Sequence, residues 1–164
     1  MRQNVPEFHS LLTALTNEKV RFVVVGGLAL VFYGATTVTF DVDFAVATDS
    51  ENVDAILRAL APFHPFPPQV GTPESFVWDR RSFLGAVLEL VTDAGHVDLL
   101  LIQPGVESFE ALWSRAELRQ LGEMEISVAC IDDLIAMKRA AHRPKDLDHI
   151  RQLEAIKNLR ERGS

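Results

Sequence analysis

Residues 20–47 decide the fold of this 164-residue chain, and they read VRFVVVGGLALVFYGATTVTFDVDFAVA. A β-branched run at 20–25 leads into Gly26-Gly27, and a compact apolar run at 28–33 follows. The first run predicts a buried strand and the second a buried helix that ends near Gly34. The chain is therefore expected to turn sharply from strand to helix at the two glycines.

The second half of this stretch changes to a period of two. Its apolar residues are Val38, Phe40, Val42 and Phe44, and they alternate with Thr39, Asp41 and Asp43. Successive residues of a strand point to opposite faces, so residues 38–47 are predicted to form a strand with both aspartates on one face. Because consecutive strands commonly lie side by side, this strand is expected next to the one at 20–25.

The two aspartates form a candidate metal site. Residues two apart on a strand project to one face, roughly 6 to 7 Å apart, so Asp41 and Asp43 can converge on hard cations such as Mg²⁺. The alternative is a strand whose outer face is simply in water. The apolar opposite face predicts an internal strand, where two like charges are costly unless a cation compensates them.

The glycine pair is a candidate phosphate-binding turn. Without side chains, Gly26 and Gly27 let backbone N–H groups approach phosphate oxygens at the start of a helix. An ordinary tight turn is the alternative, and the glycines alone do not decide between the two. A triphosphate at this turn would need Mg²⁺, which the neighbouring aspartates could hold.

A third acid, Asp98, lies in the apolar run HVDLLLI at 96–102. An unpaired carboxylate among apolar residues is unfavourable, so Asp98 is a candidate third ligand that also draws a proton from an acceptor hydroxyl. The alternative is an aspartate near a strand start with its carboxylate in water. His96 shares its face and could be a structural partner.

The rest of the chain alternates helical and strand patterns. Helices are predicted from Phe8 to Asn17 after Pro6, and at 53–60, 109–116, 131–141 and 145–159. Strands are predicted at 87–91 and 96–102, joined by a tight turn, and at 125–128. The proline-rich segment 61–74 predicts a loop or flap, and four aromatic residues near it are expected to be exposed and to favour a homodimer or a protein partner: Phe63, Phe66, Phe76 and Trp78.

Size and composition indicate one α/β domain, with a mixed β-sheet flanked by helices. A length of 164 residues with 48% hydrophobic content suits a single domain over 1–164, with a core at about 20–130 and C-terminal helices at 131–160. The longest apolar stretch is too short for a membrane span, which needs about 20 residues. Cys130 is the only cysteine, so the sequence predicts no internal disulfide and a cytoplasmic location.

The charge is unevenly distributed. The net charge is −7, yet half of the sixteen basic residues lie at or beyond Lys138. This segment is either a contact surface for a polyanion such as RNA or the solvated face of two amphipathic helices. The acidic overall balance argues against broad, non-specific binding to nucleic acid.

Three segments together resemble a known family. They are VVGGLALVFYGATTVTFDVDFAV at 24–46, HVDLLL at 96–101 and MKRAAHRPKDLDHI at 137–150. They are similar to nucleotidyltransferases of the polymerase-beta type, in particular those related to abortive-infection (AbiEii-like) toxins and minimal nucleotidyltransferases. The resemblance covers about residues 20–150 and implies the nucleotidyltransferase fold.

The resemblance also implies roles for individual residues. Asp41, Asp43 and Asp98 would be catalytic metal ligands for Mg²⁺ or Mn²⁺. The nucleotide-binding residues would be Gly26, Gly27, Lys138 and Asp146, with Lys138 reaching the triphosphate and Asp146 positioning Lys138 or Lys145. From the residues alone, the basic side chains look like a solvated helix face.

Two positions depart from the family pattern. Many relatives carry Arg where this chain has Thr37, so a bidentate phosphate donor is missing; either phosphate binding is weaker here, or Arg80 or Arg81 supplies the contact. Many polymerase-type relatives also carry Ser where this chain has Gly27.

The leading hypothesis is an Mg²⁺-dependent nucleotidyltransferase that moves NMP from an NTP to an acceptor hydroxyl by a two-metal mechanism. The acceptor would be an RNA end, a protein side chain or a small molecule. The alternative is a non-catalytic module that binds nucleotide or acts in a toxin–antitoxin-type complex. A purely structural α/β domain is the third hypothesis.

Overall fold

A computed structural model describes residues 8–37 and 39–163. Pro6 and Val38, which the sequence assigns to a first helix and to a strand, lie outside these residues. The helices are α1 (Phe8–Asn17), α2 (Gly26–Phe32), α3 (Ser50–Leu60), α4 (Phe109–Arg115), α5 (Ile131–Ala141) and α6 (Asp146–Arg162). The strands are β1 (Phe22–Val25), β2 (Asp41–Val46), β3 (Val87–Thr92), β4 (Gly95–Leu100), β5 (Glu117–Leu121) and β6 (Met124–Val128).

The strands form one mixed sheet in the order β3-β4-β2-β1-β6-β5. Strand β1 is antiparallel to β2 and parallel to β6, and β2 is parallel to β4. All four residues of β1 are buried, as expected for a central strand with both faces covered. The predicted α/β fold with a mixed sheet is confirmed, and so is the predicted adjacency of the first two strands.

Strand β2 begins later than the alternating pattern predicts. It starts at Asp41, and Phe40 is 59% exposed, so the expectation that Phe40 shares the buried face is wrong. Just before the strand, the Thr39 hydroxyl donates a hydrogen bond of 2.6 Å to the Asp41 carbonyl and holds the chain in a bend. Phe40 therefore lies before the first residue of β2 that pairs with β4, which is Asp41.

The strand β5 was not predicted. Its sequence, ELRQL, contains only two apolar residues, and they do not alternate with polar ones, although the side chains alternate between half-buried and exposed. It lies at the edge of the sheet, and within residues 8–37 and 39–163 its one partner strand is β6, with which it forms a hairpin. The strand predicted at 125–128 is confirmed as β6.

The segment between α3 and β3 consists mainly of short 3₁₀ turns, as its prolines suggest. Its aromatic side chains are half-buried, so the expected exposed patch of Phe63, Phe66, Phe76 and Trp78 is wrong. The Trp78 indole N–H donates to the Leu57 carbonyl at 3.0 Å, and its ring lies 5.5 Å from that of Phe83. Because these aromatic side chains are half-buried, they no longer support the homodimer, which stays a prediction.

The C-terminal helices α5 and α6 pack against each other and against the core. Leu134 of α5 is buried, and Leu153 of α6 is completely buried. Helix α5 ends at Ala141; the capping residue His142 adopts the left-handed conformation with φ 51°, and Pro144 follows. Within the described residues, none of these or the other helices is both long and apolar enough to cross a membrane.

Candidate active site

The two aspartates Asp43 and Asp98 meet on neighbouring strands. Parallel pairing of β2 with β4 places their Cα atoms directly opposite each other, and the two carboxyl groups share a hydrogen bond. Asp41 lies on the same strand as Asp43, two residues earlier, and its charge acts on both members of the pair. Of the three acids that the sequence predicts to share one site, the structure thus pairs Asp43 with Asp98, and Asp41 is an exposed residue two positions before Asp43.

The electrostatics of this pair favour a bound positive charge. Burial raises the pKa of Asp43, and the hydrogen bond to Asp98 and the charges of Lys138 and Arg143 partly offset the increase. Burial and the negative charge of Asp43 together raise the pKa of Asp98 to about 7. Near neutral pH the pair therefore holds a proton for part of the time, at a position that a cation could take instead.

Gly26 lies beside this pair, at a position where a residue with a side chain would not fit. It has φ +64°, a conformation that side chains disfavour, and a Cβ at this position would overlap Asp43 Oδ2 and lie 2.9 Å from Asp43 Cγ. Gly27 is also spatially restricted, since its Cβ would lie 2.9 Å from Thr39 Oγ1. The turn is thus shaped to let the Asp43 carboxylate lie against the backbone.

A cavity of about 390 Å³ opens beside the carboxylates. One wall carries Gly26, Asp43 and Asp98, and the opposite wall is formed by α5 and the turn after it, which contribute Lys138 and Arg143. The remaining lining is mostly apolar and includes Val87, Leu100, Pro104, Leu134 and Met137. We call this cavity the cleft. Of the predicted site residues, the structure brings Gly26, Asp43, Asp98 and Lys138 to its lining, whereas Gly27, Asp41 and Asp146 lie outside it.

Asp146 pairs with Lys138 and Arg143, the two residues that form the basic wall of the cleft. It is 2% exposed, accepts a hydrogen bond from Arg143 Nε at 2.7 Å, and forms an ion pair of 3.3 Å with Lys138 Nζ. Burial alone would raise the pKa of Asp146, but the hydrogen bond from Arg143 and the charge of Lys138 outweigh it and lower the pKa. Its place fits the positioning role that the resemblance implies for it.

Sequence reasoning missed two charged residues of the cleft, Arg143 and Glu89. Glu89 lies opposite Asp98 on β3, so the acids Asp43, Asp98 and Glu89 form a row across three strands. Counting back from the predicted turn between β3 and β4 would have found it. Arg143 lies within a quoted motif but carried no assigned role.

The two arginines expected to replace the missing family arginine do not lie at the cleft. Arg80 forms a bidentate ion pair with Asp54, and Arg81 pairs with Asp79. Asp54 lies on α3 and Asp79 in the segment between α3 and β3, and neither acid lines the cleft. The second basic group beside the carboxylates is Arg143 instead.

The donor set suits a hard divalent cation, because Asp43 and Asp98 present carboxylate oxygens on one face and need charge compensation. Among residues 8–37 and 39–163, however, no three His, Cys, Asp or Glu side chains are grouped so that they could hold a metal ion. The structure therefore contains a two-carboxylate pair, with Asp41 nearby, rather than a preformed three-acid cluster.

Comparison with known families settles the family. The family described as "Nucleotidyltransferase of unknown function (DUF6036)" matches residues 4–160. The chain belongs to this nucleotidyltransferase family. No curated protein matches it.

A solved structure agrees with the fold of this nucleotidyltransferase. The chain is similar to a Thermotoga maritima protein whose crystal structure is described as that of "a putative nucleotidyltransferase", with a TM-score of 0.52 and 19% identity. The similarity covers 94% of this chain and 91% of that chain. At this identity the similarity shows the fold alone. Family and fold together support nucleotidyl transfer as the general function.

Replacing Asp98 with asparagine is expected to stabilise the metal-free protein above neutral pH. The native pKa of about 7 lies above the ordinary value of 3.8, so the native state binds more protons than the unfolded state between these values. Stability therefore falls as pH rises through this window, and the variant escapes the loss. Because the carboxyl is only half-buried, we expect a gain of about 1 to 2 kcal/mol at about pH 8.

Urea unfolding of both proteins in a chelator, at about pH 4 and pH 8, measures this difference. The two curves should nearly coincide at the acidic pH, which serves as the internal control. A variant less stable than the parent at about pH 8 would contradict the repulsion inferred for the pair.

Proposed function

We propose that this nucleotidyltransferase is an active enzyme that transfers NMP from an NTP to an acceptor hydroxyl and releases pyrophosphate. The observation that carries the proposal is the cleft, where the paired carboxylates Asp43 and Asp98 face Lys138 and Arg143 across one cavity. Phosphoryl transfer depends on positioning and on stabilising charge, and these two walls are suited to both tasks.

In this proposal Asp43 and Asp98 hold Mg²⁺ or Mn²⁺, with Asp41 as the third ligand. When bound, the metal would neutralise the phosphate chain and lower the pKa of the acceptor hydroxyl. The shared proton of the carboxyl pair supports this assignment, because a cation at the same place relieves the same repulsion.

The remaining residues of the cleft act directly on the substrates. Lys138 and Arg143 bind the phosphate oxygens of the NTP, and the guanidinium of Arg143 can take the part of the arginine missing at Thr37. Asp98, besides holding the metal, draws the proton of the acceptor hydroxyl. Gly26 leaves room for the Asp43 carboxylate.

The acceptor stays open among an RNA end, a protein side chain and a small molecule. The basic C-terminal segment offers less charge to RNA than its composition suggests, because five of its eight basic residues form ion pairs with acids: Lys138, Arg139, Arg143, Lys157 and Arg160. A protein acceptor within a toxin–antitoxin-type pair is the version that the AbiEii-like resemblance suggests.

Calorimetry and labelling test the proposal together. The protein is titrated with each NTP with and without Mg²⁺, and is then incubated with α-labelled NTPs plus either total RNA or total protein from cells. We expect Mg²⁺-dependent NTP binding and label on one acceptor class. The control is Asp93→Asn, a matched change in the exposed turn between β3 and β4, which should behave as the parent.

A non-catalytic nucleotide-binding module is the second candidate. Two observations favour it: the described acids do not form a three-residue metal cluster, and Thr37 replaces the phosphate-binding arginine of many relatives. Binding of Mg²⁺-NTP without transfer to any acceptor class would favour this module. Absence of binding would leave a structural domain.

A further inference from the structure

A chain of contacts links the loop before β2 to the basic wall of the cleft. The Thr37 hydroxyl lies 3.4 Å from His149 Nε2, and His149 Nδ1 lies 3.2 Å from Lys138 Nζ. Lys138 Nζ also lies 3.3 Å from Asp146 Oδ1. The Lys138 side chain is only 8% exposed, so its ammonium is held between two named partners rather than by water.

The chemistry of the two partners fixes the state of the imidazole. A lysine ammonium has donors only, so His149 Nδ1 must accept the hydrogen bond and carries no proton. The proton of the neutral ring then resides on Nε2, from which it can be donated to the Thr37 hydroxyl. This arrangement uses two of the three N–H groups of Lys138 and leaves one for a ligand in the cleft.

We propose that His149 is a positioning residue: its Nδ1 accepts a hydrogen bond from Lys138 while its Nε2 contacts Thr37, and this fixes the Lys138 ammonium in the wall of the cleft where the phosphate chain binds. The proposal rests on the proposed function for the identity of that ligand. The contact between His149 and Lys138 itself can be tested without any ligand.

The charges around His149 agree with a neutral ring. Burial and the positive charge of Lys138 lower its pKa. The other charged groups that act on it are Asp146 and Asp148 of α6, which oppose this shift, and Arg143 of the α5–α6 turn, which reinforces it. Protonation at Nδ1 would direct an N–H at the ammonium and break the contact, so we expect it to release Lys138.

Two variants separate positioning from simple packing. In His149→Asn the amide oxygen can take the place of Nδ1 and accept from Lys138, whereas in His149→Gln the amide reaches the place of Nε2 and leaves Nδ1 without a substitute. Loss of a hydrogen bond to a charged group predicts that His149→Gln weakens Mg²⁺-ATP binding about tenfold. His149→Asn should stay within about threefold of the parent.

The experiment combines calorimetry with NMR. Mg²⁺-ATP affinity is measured for the parent and both variants at about pH 5, below the ordinary pKa range of histidine, and at about pH 8, and the ratio of parent to His149→Asn cancels the titration of the nucleotide itself. This ratio should fall at the lower pH, because only the parent has a ring to protonate. Nitrogen-detected NMR of the free parent should show His149 protonated on Nε2 alone at about pH 8.

The outcomes are distinct. Equal affinity of His149→Gln and the parent, with Lys138→Met weakened, would overturn the positioning role. A proton on Nδ1 in the free protein would overturn the tautomer and with it the proposal. If the parent bound no NTP, the proposed function would fail, and the NMR tautomer would still decide whether His149 accepts from Lys138.

Discussion

Replacing Asp43 with asparagine is expected to lower kcat/KM for Mg²⁺-dependent pyrophosphate release about 1000-fold, equivalent to about 4 kcal/mol of transition-state stabilisation. Asp43 interacts with both the acidic and the basic residues of the site. It pairs with Asp98 and contacts Gly26, and the charges of Lys138 and Arg143 lower its pKa. The amide keeps the shape but lacks the charge that would hold a divalent cation. Steady-state pyrophosphate assays with the acceptor found by labelling measure the effect.

Folding must be separated from chemistry in this experiment. Asn at position 43 removes one of two repelling carboxylates, so the metal-free variant should be at least as stable as the parent in urea. Asp93→Asn provides the matched control and should retain full activity. A folded Asp43→Asn variant that keeps more than about one tenth of the activity would refute a metal-binding role for this residue.

Replacing Gly26 with alanine is expected to have the second largest effect, a loss of about 2 to 4 kcal/mol in the free energy of unfolding together with loss of NTP binding. The new Cβ meets two penalties: φ +64° disfavours a side chain, and the Asp43 carboxyl already occupies its position. Relief of the overlap requires Asp43 to move away from Asp98. Urea unfolding and calorimetry measure the two losses.

Gly34→Ala isolates the backbone term. Gly34 also has a positive φ, +83°, but nothing lies within 4 Å of its would-be Cβ. This control should lose only about 1 kcal/mol and should bind NTP as the parent does. Similar losses in the two variants would mean that the contact between the glycine turn and Asp43 is unimportant.

The central part of the fold could be predicted because its signals are local. The β-branched run before Gly26, the compact apolar run after it and the alternation around Asp41 each fix one element. The tendency of consecutive strands to lie side by side then places β1 beside β2. A strand such as β5 has no comparable signal, since it lies at the sheet edge and its pairing with β6 stabilises it more than its own composition.

The failure at Phe40 has a different cause. Periodicity extends a strand as far as the alternation runs, but a strand needs a neighbour, and the pairing with β4 begins only at Asp41. The predicted exposure of the aromatic residues in the α3–β3 segment was wrong for a related reason, because the burial of a loop side chain depends on which element the loop packs against. Neither the start of the strand pairing nor the packing of the loop can be inferred from the sequence next to the residue concerned.

The residues of the candidate site also fall into those with a local sequence signal and those without one. Asp43 and Asp98 could be predicted because an acid in an apolar strand needs an explanation wherever the strand lies. Arg143 and His149 could not, since their roles come from the folding of the C-terminal helices over the sheet, which no nearby pattern announces. Glu89 was within reach, because the hairpin register that puts it opposite Asp98 follows from the turn.

The buried ion pair between Lys138 and Asp146 has a consequence for any shortened form of this protein. A truncation after about residue 130 would preserve every acid of the sheet and look like an economical catalytic core, yet it would delete both cations that balance those acids. Such a fragment would present a bare negative surface that repels nucleotides. A minimal version of the protein must therefore keep the last two helices and the turn between them, because this region supplies the positive charge of the cleft.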